Sequence, residues 1–261
     1  MTTTLTRAAE LPPLDRDAGY RIARAELDAS IAFYAALGAQ EWDAPTACAP
    51  WRVREMVAHM VGAMDESIRF RVLLRHVRQG RRRYPDKSDL DALNEAQVDE
   101  RRDWPPEALL RAFRDLGPRA VEARRKLPAP LRAVRIPKPD GGRMSLAYLN
   151  DVIYPRDLWM HRLDAARATG RDFTLGEHDR ALVAGVVRDL ALGWTGPDVT
   201  LTLTGPAGGS WALGQRPGPE LRMDAVACCL LLSGREPGAS PQAAPGAEAA
   251  VPVLRAARVL F

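Results

Sequence analysis

The sequence is poor in cysteine, lysine and histidine, and its shortages exclude several classes of protein. Three cysteines among 261 residues provide neither a disulfide framework nor a CxxC zinc motif. No apolar run reaches the length of a membrane span, and the polar, threonine-rich N-terminus has no signal-peptide core. There is also no glycine-rich phosphate loop and no GxSxG nucleophile motif. We therefore expect a reduced, cytoplasmic protein without a membrane segment.

The basic residues are almost all arginines, since the chain has only three lysines. Together with abundant alanine, proline and glycine, this is typical of GC-rich genes, and we expect an actinobacterial source. Seven arginines without an acidic residue lie between Arg69 and Arg83. This run lacks clustered aromatic residues and any known nucleic-acid motif, and the net charge of the chain is only +4. We therefore expect a solvated helix end, or an interdomain or carboxylate-facing patch, with His76 exposed, and no nucleic-acid partner.

Hydrophobic periodicity predicts two domains that divide near residue 195. Residues 1–16 have no periodicity and are expected to form a flexible tail. Residues 17–195 are expected to form a helical bundle, with amphipathic helices over residues 17–37, 53–80, 90–102, 106–127, 151–170 and 177–194. Residues 196–261 are expected to form a small α+β domain, with strands at 198–204, 210–213 and 220–223 and a helix at 225–232. Within it, the low-complexity residues 236–250 are expected to form a mobile loop.

The stretch DVIYPRDLWMHRLDAARATG, residues 151–170, would carry a stripe of polar side chains on an otherwise apolar helix. Asp157, His161 and Asp164 share one face because they are spaced by four and by three residues. Buried carboxylates and imidazoles are costly unless they are satisfied, and a metal ion satisfies them well. Pro155 either begins this helix or kinks it, which decides whether residues further upstream share the face.

A second candidate ligand, His59, lies on the predicted helix over residues 53–80, where two small neighbours would leave space beside its ring. With Asp157 and His161 it offers two nitrogens and one carboxylate. Such a three-ligand set leaves coordination positions open, as catalytic zinc sites do. The alternative is that His59 caps a polar network in the core and that Asp157 pairs with Arg156, Arg162 or another arginine. Spacing alone leaves both interpretations open.

Two segments, PTACAPWRVREMVAHMVG at 45–62 and WMHRLDAARATG at 159–170, resemble the mycothiol-dependent maleylpyruvate isomerase family of DinB-like proteins. The resemblance implies a mostly α fold, with a DinB-like four-helix bundle followed by a small α+β C-terminal domain. It also implies that His59, Asp157 and His161 bind a divalent metal, either zinc or else nickel or iron. The family has a glutamate where this chain has Asp157. The shorter side chain requires a closer approach of its helix or a bridging water.

The resemblance further implies an enzyme that activates mycothiol for cis–trans isomerisation, or for S-transfer to a small anionic or electrophilic substrate. The thiolate would add to an activated double bond, allow rotation and leave again, or it would stay attached to another electrophile.

Asp164 would orient a ligand or take a proton, and Arg235 would bind a carboxylate from the second domain. A surface position after a helix end explains Arg235 equally well. The alternative is a non-catalytic or metal-free small-molecule-binding protein. We expect a monomer or homodimer.

Overall fold

The computed structural model describes residues 5–139 and 141–261, and the chain divides into two compact units. The bundle unit is Arg16–Phe173, and the sheet unit is Thr174–Phe261 with the described residues before Arg16. The division therefore lies earlier than the predicted position near residue 195, because the helix predicted over residues 177–194 belongs to the sheet unit. Among the described residues, every helix is too short or too polar to cross a membrane.

The bundle unit consists mainly of helices, as the predicted mostly α fold requires. Its elements in chain order are α1 (Arg16–Ala35), α2 (Val53–Ile68), α3 (Phe70–Arg83), α4 (Asp89–Asp99), α5 (Pro106–Lys126), α6 (Ala129–Arg132), β1 (Arg135–Pro137), β2 (Arg143–Ser145), α7 (Leu146–Tyr148), a π-helical turn (Leu149–Ile153) and α8 (Tyr154–Thr169). A short 3-10 helix, Ala39–Asp43, lies in the loop between α1 and α2. Strands β1 and β2 pair as an antiparallel hairpin.

Four long helices, α1, α2, α5 and α8, pack around one apolar core. Helices α1 and α2 each pack against α5 and α8. Each of the four contributes fully or almost fully buried apolar side chains to this core, for example Leu27, Val57, Phe113 and Leu158. The predicted DinB-like four-helix arrangement is therefore confirmed. Its consequence for the site is that α2 and α8 are neighbours.

The helix predicted over residues 53–80 is in fact two helices, α2 and α3, which separate at Arg69. The backbone of Arg69 leaves the helical region, with φ −128° and ψ 92°. Its side chain turns back and binds Asp65, one turn earlier, with an Nε to Oδ1 distance of 2.5 Å. Neither proline nor glycine marks this break, so the apolar periodicity continues through it. The break allows α3 to pack against α4.

The arginine-rich helix α3 faces acidic residues of the α4 segment. Arg81 contacts Asp89 at 3.0 Å, and Arg83 contacts Asp99 at 3.0 Å. These ion pairs are exposed on at least one side, so each stabilises the fold only slightly. The arrangement agrees with the carboxylate-facing patch, which was one of the three expectations for this run.

His76 is fully buried, which contradicts the expected exposure. Its Nδ1 lies 2.6 Å from Glu66 Oε1, and its Nε2 lies 2.5 Å from Glu100 Oε2. The arginines around His76 indicated a solvated helix, but the face of α3 that carries Val72 and His76 turns inward. Two carboxylates from other segments each contact one nitrogen of the ring. These contacts offset the free-energy cost of burying the imidazole.

The sheet unit is the predicted small α+β domain. Its elements are α9 (Glu177–Leu192), β3 (Val199–Thr204), β4 (Gly209–Leu213), β5 (Glu220–Asp224), α10 (Ala225–Leu232), β6 (Gln242–Ala243) and α11 (Ala250–Ala256). The sheet has the order β4-β3-β5-β6, in which β3 and β5 are parallel and the other pairs are antiparallel. Alternate residues of β3 are buried, as the alternation in its sequence predicted. The predicted mobile loop over residues 236–250 contains β6 and the fully buried Ala247.

The segment predicted as a flexible tail is attached to the sheet unit. Residues 1–4 lie outside the described residues, but Ala8–Glu10 form a 3-10 helix in which Ala8 is buried. The backbone N–H of Ala212 donates to the carbonyl of Thr6 at 3.0 Å. The Nε of Arg188 donates to the carbonyl of Leu11 at 2.9 Å. The prediction of a flexible tail was therefore wrong for the described residues of this segment. Hydrogen bonds to backbone carbonyls hold the segment, and they leave no periodic pattern of apolar side chains in the sequence.

Candidate metal centre

Helix α8 carries two of the three predicted ligands and starts directly after the π-helical turn. Pro155 lies in its first turn, where its missing N–H costs no hydrogen bond that the helix needs. The wider π-helical turn before it keeps the backbone helical upstream of the proline. The helix ends at Gly170, whose φ of +68° is in the left-handed region that favours glycine. The backbone is therefore helical on both sides of Pro155.

The three predicted ligands meet between α2 and α8. His161 Nε2 lies 3.3 Å from Asp157 Oδ1, and His59 Nε2 lies 4.0 Å from Asp157 Oδ2. The two imidazole rings meet edge to face, with their centroids 5.4 Å apart. The side chains of His59 and His161 are 8% and 7% exposed, whereas that of Asp157 is 28% exposed. One side of the cluster is therefore accessible.

These separations fit one divalent metal ion. One ligand atom from each residue lies within 4.8 Å of the others. Ligand bonds of about 2.0–2.2 Å in a tetrahedron place two nitrogen or oxygen ligands roughly 3.3 Å apart. The pair formed by His161 and Asp157 already has this separation, and the pair formed by His59 and Asp157 needs only a small closing movement. The carboxylate of Asp157 lies within 4.0 Å of both imidazoles.

The two histidines have opposite pKa shifts. Burial lowers the pKa of His59, an effect that is only partly offset by the nearby Asp157 carboxylate. Burial also acts to lower the pKa of His161, but the charge of Asp157 and hydrogen bonds to Asp157, Asp164 and Cys48 raise it well above its ordinary value. The shifts thus act in opposite directions, toward the neutral form of His59 and toward the protonated form of His161 beside the carboxylate.

Gln97 of α4 contacts the far side of His59. Its Oε1 lies 2.6 Å from His59 Nδ1, and both residues are buried. The close approach depends on Gly62, because a Cβ atom there would lie 2.5 Å from the Cβ of Gln97. The expectation of open space beside His59 was therefore wrong, since Gln97 fills it. The sequence offered no signal for Gln97 except this small residue one turn from the histidine.

Asp164 and Cys48 contact the far side of His161. Asp164 is 1% exposed, and its Oδ2 lies 3.4 Å from His161 Nδ1. The thiol of Cys48, from the loop before α2, donates to the same Oδ2 at 3.4 Å, and its sulfur lies 3.9 Å from His161 Nδ1. Trp51 of the same loop stacks on His59, with ring centroids 5.1 Å apart. No base lies near Cys48 in sequence, so its place at the site emerges only from the fold.

Arg162, one of the arginines of the alternative interpretation, pairs with Glu26. Arg162 binds Glu26 through two hydrogen bonds, from Nε at 2.7 Å and from NH2 at 2.9 Å. Both side chains are buried, so this is a fork-to-fork contact of the kind that arginine forms with carboxylates. The guanidinium of Arg162 therefore forms its ion pair with Glu26 of α1.

Comparison with known proteins identifies the family. The sequence profile described as the mycothiol maleylpyruvate isomerase N-terminal domain matches residues 23–166, which is more than half of the chain. The chain belongs to this family. His59, Asp157 and His161 all lie inside the matched region, as does Asp164, so the family domain contains the whole cluster.

Two solved structures share the fold of this chain. The chain is similar to a crystal structure of the mycothiol-dependent maleylpyruvate isomerase, with a TM-score of 0.59 and 15% identity over 93% of this chain and 97% of that chain. A histidine-to-alanine mutant of that isomerase gives a TM-score of 0.57 and 15% identity over 88% of this chain and 92% of the other. No curated protein matches the chain in sequence. At this identity the two structures show a shared fold and nothing further.

Arg235 lies outside the matched family domain. It follows α10 in the sheet unit and is half-buried. Its binding of a carboxylate therefore stays a prediction. The same holds for the metal ligands and for the role of Asp164, which the geometry permits.

Proposed function

We propose that this chain is a metal-dependent enzyme that activates a low-molecular-weight thiol against a small electrophilic substrate. The observation that carries the proposal is the convergence of His59, Asp157 and His161 from two helices. Family membership supports it, because the matching profile and the similar solved structures are those of mycothiol-dependent maleylpyruvate isomerases. We therefore propose mycothiol as the thiol co-substrate.

The ligand set favours a divalent metal, with zinc first and nickel or iron as alternatives. His59 and His161 would each supply Nε2, and Asp157 would supply a carboxylate oxygen. A metal bound there lowers the pKa of a thiol and so keeps it in the nucleophilic thiolate form at neutral pH. Because the carboxylate of Asp157 is the most exposed of the three groups, thiol and substrate would approach from its side.

Two further side chains hold the imidazoles in the orientation that metal ligation needs. Gln97 accepts a hydrogen bond from His59 Nδ1, and Asp164 faces His161 Nδ1. A proton fixed on Nδ1 leaves the Nε2 lone pair directed at the metal, and such outer partners also raise ligand basicity. The complete burial of Asp164 behind His161 favours orientation over proton transfer to a substrate.

The fate of the thiol decides the reaction type. Addition of the thiol to an activated double bond leaves a single bond that rotates, and elimination then releases the trans isomer and regenerates the thiol. Where the thiol stays bonded to carbon, the protein is a thiol S-transferase. For either reaction we propose that Arg235 binds a substrate carboxylate, since a guanidinium binds one bidentately.

A metal-free protein that binds a small molecule without chemistry is the second candidate. The observation that favours it is the direct contact of His161 Nε2 with Asp157 Oδ1 at 3.3 Å. The charge of Asp157 and three hydrogen bonds raise the pKa of His161 against the opposing effect of burial. A protonated His161 already balances the carboxylate, so the cluster is electrostatically satisfied without a metal.

A screen of the zinc-supplemented chain with mycothiol and three classes of electrophile tests the proposal. The electrophiles are cis-alkene carboxylates, epoxides and alkyl halides, and products are identified by mass spectrometry and chromatography. Thiol-dependent formation of a trans alkene identifies an isomerase, and a thiol adduct identifies a transferase. The matched control is His161→Ala, which should lose the activity. If the metal-loaded chain has no thiol-dependent activity in any class, the non-catalytic binding protein becomes the better account.

A further inference from the structure

Cys48, His161 and Asp164 form a second group of metal-ligating side chains in the bundle unit. Asp164 Oδ2 lies 3.4 Å from His161 Nδ1 and 3.4 Å from Cys48 Sγ. The sulfur lies 3.9 Å from the same ring nitrogen. The candidate metal centre uses His161 Nε2, whereas this group faces the opposite nitrogen of the same ring.

The three separations fit one divalent cation. Zinc bonds of about 2.3 Å to sulfur and about 2.0–2.2 Å to nitrogen and oxygen place tetrahedral ligand atoms roughly 3.3–3.5 Å apart. Both distances of 3.4 Å agree with this range. The sulfur-to-nitrogen distance of 3.9 Å is longer and suits a cation larger than zinc. A coordinated thiol is deprotonated, so the thiolate and the carboxylate together balance the charge of a divalent cation.

The loop before α2 holds Cys48 at this place. The backbone N–H of Cys48 donates to Thr46 Oγ1 at 3.1 Å, and its carbonyl accepts from the N–H of Trp51 at 2.9 Å. The hydroxyl of Thr46 in turn donates to the carbonyl of Trp51 at 2.8 Å. Cys48 is half-buried, whereas His161 and Asp164 are buried. A cation would therefore enter from the Cys48 side, where a water molecule would complete its ligands.

His161 lies between two carboxylates, so either nitrogen of its ring can bind a cation while the other donates a hydrogen bond. Asp157 Oδ1 is 3.3 Å from Nε2, and Asp164 Oδ2 is 3.4 Å from Nδ1. When Nδ1 binds the cation, the proton of the neutral ring is on Nε2 and is donated to Asp157. Such a carboxylate partner strengthens ligation by the imidazole. A neutral imidazole has one lone pair, so the two groups of ligands are alternatives for His161.

We propose that Cys48, His161 Nδ1 and Asp164 form a binding site for a soft, thiophilic divalent cation. The thiolate provides the selectivity, because soft sulfur ligands favour soft cations. The inference goes beyond the proposed function and does not depend on it. The alternative is a hydrogen-bonded triad that holds no cation, in which the thiol keeps its proton and donates it to Asp164.

Cadmium titration of the metal-free, full-length chain tests this assignment, with ultraviolet difference absorption as the readout and a phosphine as the reductant. A cadmium–thiolate bond gives a charge-transfer band that nitrogen and oxygen ligands do not give. His59→Ala disables the candidate metal centre and leaves the second group complete, so this variant should show one saturable thiolate band. The wild type should show the same band, and zinc added first should weaken it, since both cations need His161.

Three further substitutions are made in the His59→Ala background. Cys48→Ser should abolish the band and lower the cadmium affinity at least about tenfold. Asp164→Asn should lower the affinity by a similar factor, whereas a thiol that bound cadmium alone would not need this carboxylate. The matched control is Cys228→Ala, which should keep the band, because Cys228 is 1% exposed and has no access to the cation.

Three results would overturn the assignment: no thiolate band in a folded His59→Ala chain, a band that persists after Cys48→Ser, or unchanged cadmium affinity after Asp164→Asn. Circular dichroism monitors the fold of each variant, and His59→Gln takes the place of His59→Ala if that variant unfolds. A wild type that retains zinc while every variant lacks the band would support the proposed function and contradict this inference. A Cys48-dependent band in a chain that binds no zinc would do the reverse.

Discussion

Replacing Gln97 with leucine should weaken metal binding without removing any metal ligand. In the wild type the Oε1 of Gln97 lies 2.6 Å from His59 Nδ1, and both residues are buried. Leucine has a similar volume but no acceptor, so the N–H of His59 would be left buried and unpaired. Such a group costs about 1–3 kcal/mol, which corresponds to roughly a 5- to 150-fold change in an equilibrium constant. Loss of an outer-shell partner typically lowers metal affinity by about 10- to 100-fold, in agreement with this range.

Competition with a chromophoric chelator measures the zinc affinity of Gln97→Leu against the wild type. Gln97→Glu is the matched control, since it keeps an acceptor oxygen at the same place and should bind zinc at least as tightly as the wild type. Thermal unfolding of the metal-free variants separates this effect from general destabilisation. Wild-type zinc affinity in Gln97→Leu would refute the claim that this residue orients His59.

Two further predictions concern stability and ionisation. His76→Ala should lower the free energy of unfolding by about 3 kcal/mol, because it leaves two glutamates without their shared partner. The control Arg78→Ala, at an exposed position, should change it by under about 0.5 kcal/mol. Urea unfolding measures both. The Arg171 guanidinium and the Gly38 N–H lower the pKa of Glu41 to about 2, so their stabilisation is present above pH 4.5 and is lost as the pH falls toward 2. NMR titration of Arg171→Ala should find this pKa shifted upward, and an unchanged pKa would show that Arg171 does not cause the shift.

Helices whose first turn is marked by a favourable residue, such as a proline or a capping aspartate, were predictable from the sequence. Helix α5 starts at Pro106, and proline is favoured in the first turn of a helix. Helix α10 starts after Asp224, whose side chain accepts hydrogen bonds from two backbone N–H groups of the first turn. The break at Arg69 has no such signal, since its ion pair with Asp65 is compatible with a continuous helix as well. The buried position of His76 depends in part on Glu100, which follows α4 and is 24 residues away from His76 in sequence.

The candidate site was predictable in part. Helical spacing alone grouped Asp157, His161 and Asp164, because they occupy one face of one helix. The link to His59 was one of two open interpretations until the resemblance to a family favoured it, since about a hundred residues separate the two helices. Gln97 and Cys48 were not predictable, because tertiary packing alone brings their helix and loop to the histidines. Residues that orient a ligand are identified by their hydrogen bonds, which local sequence patterns do not contain.

Metal analysis of the purified chain tests the central claim most directly. After expression with supplementary zinc, nickel or iron, the wild type should retain about one equivalent of divalent metal per chain through a desalting column. Asp157→Ala and His161→Ala should each lose it while keeping the fold, as judged by circular dichroism. A folded wild-type chain that holds no stoichiometric metal under any of these conditions would contradict the account.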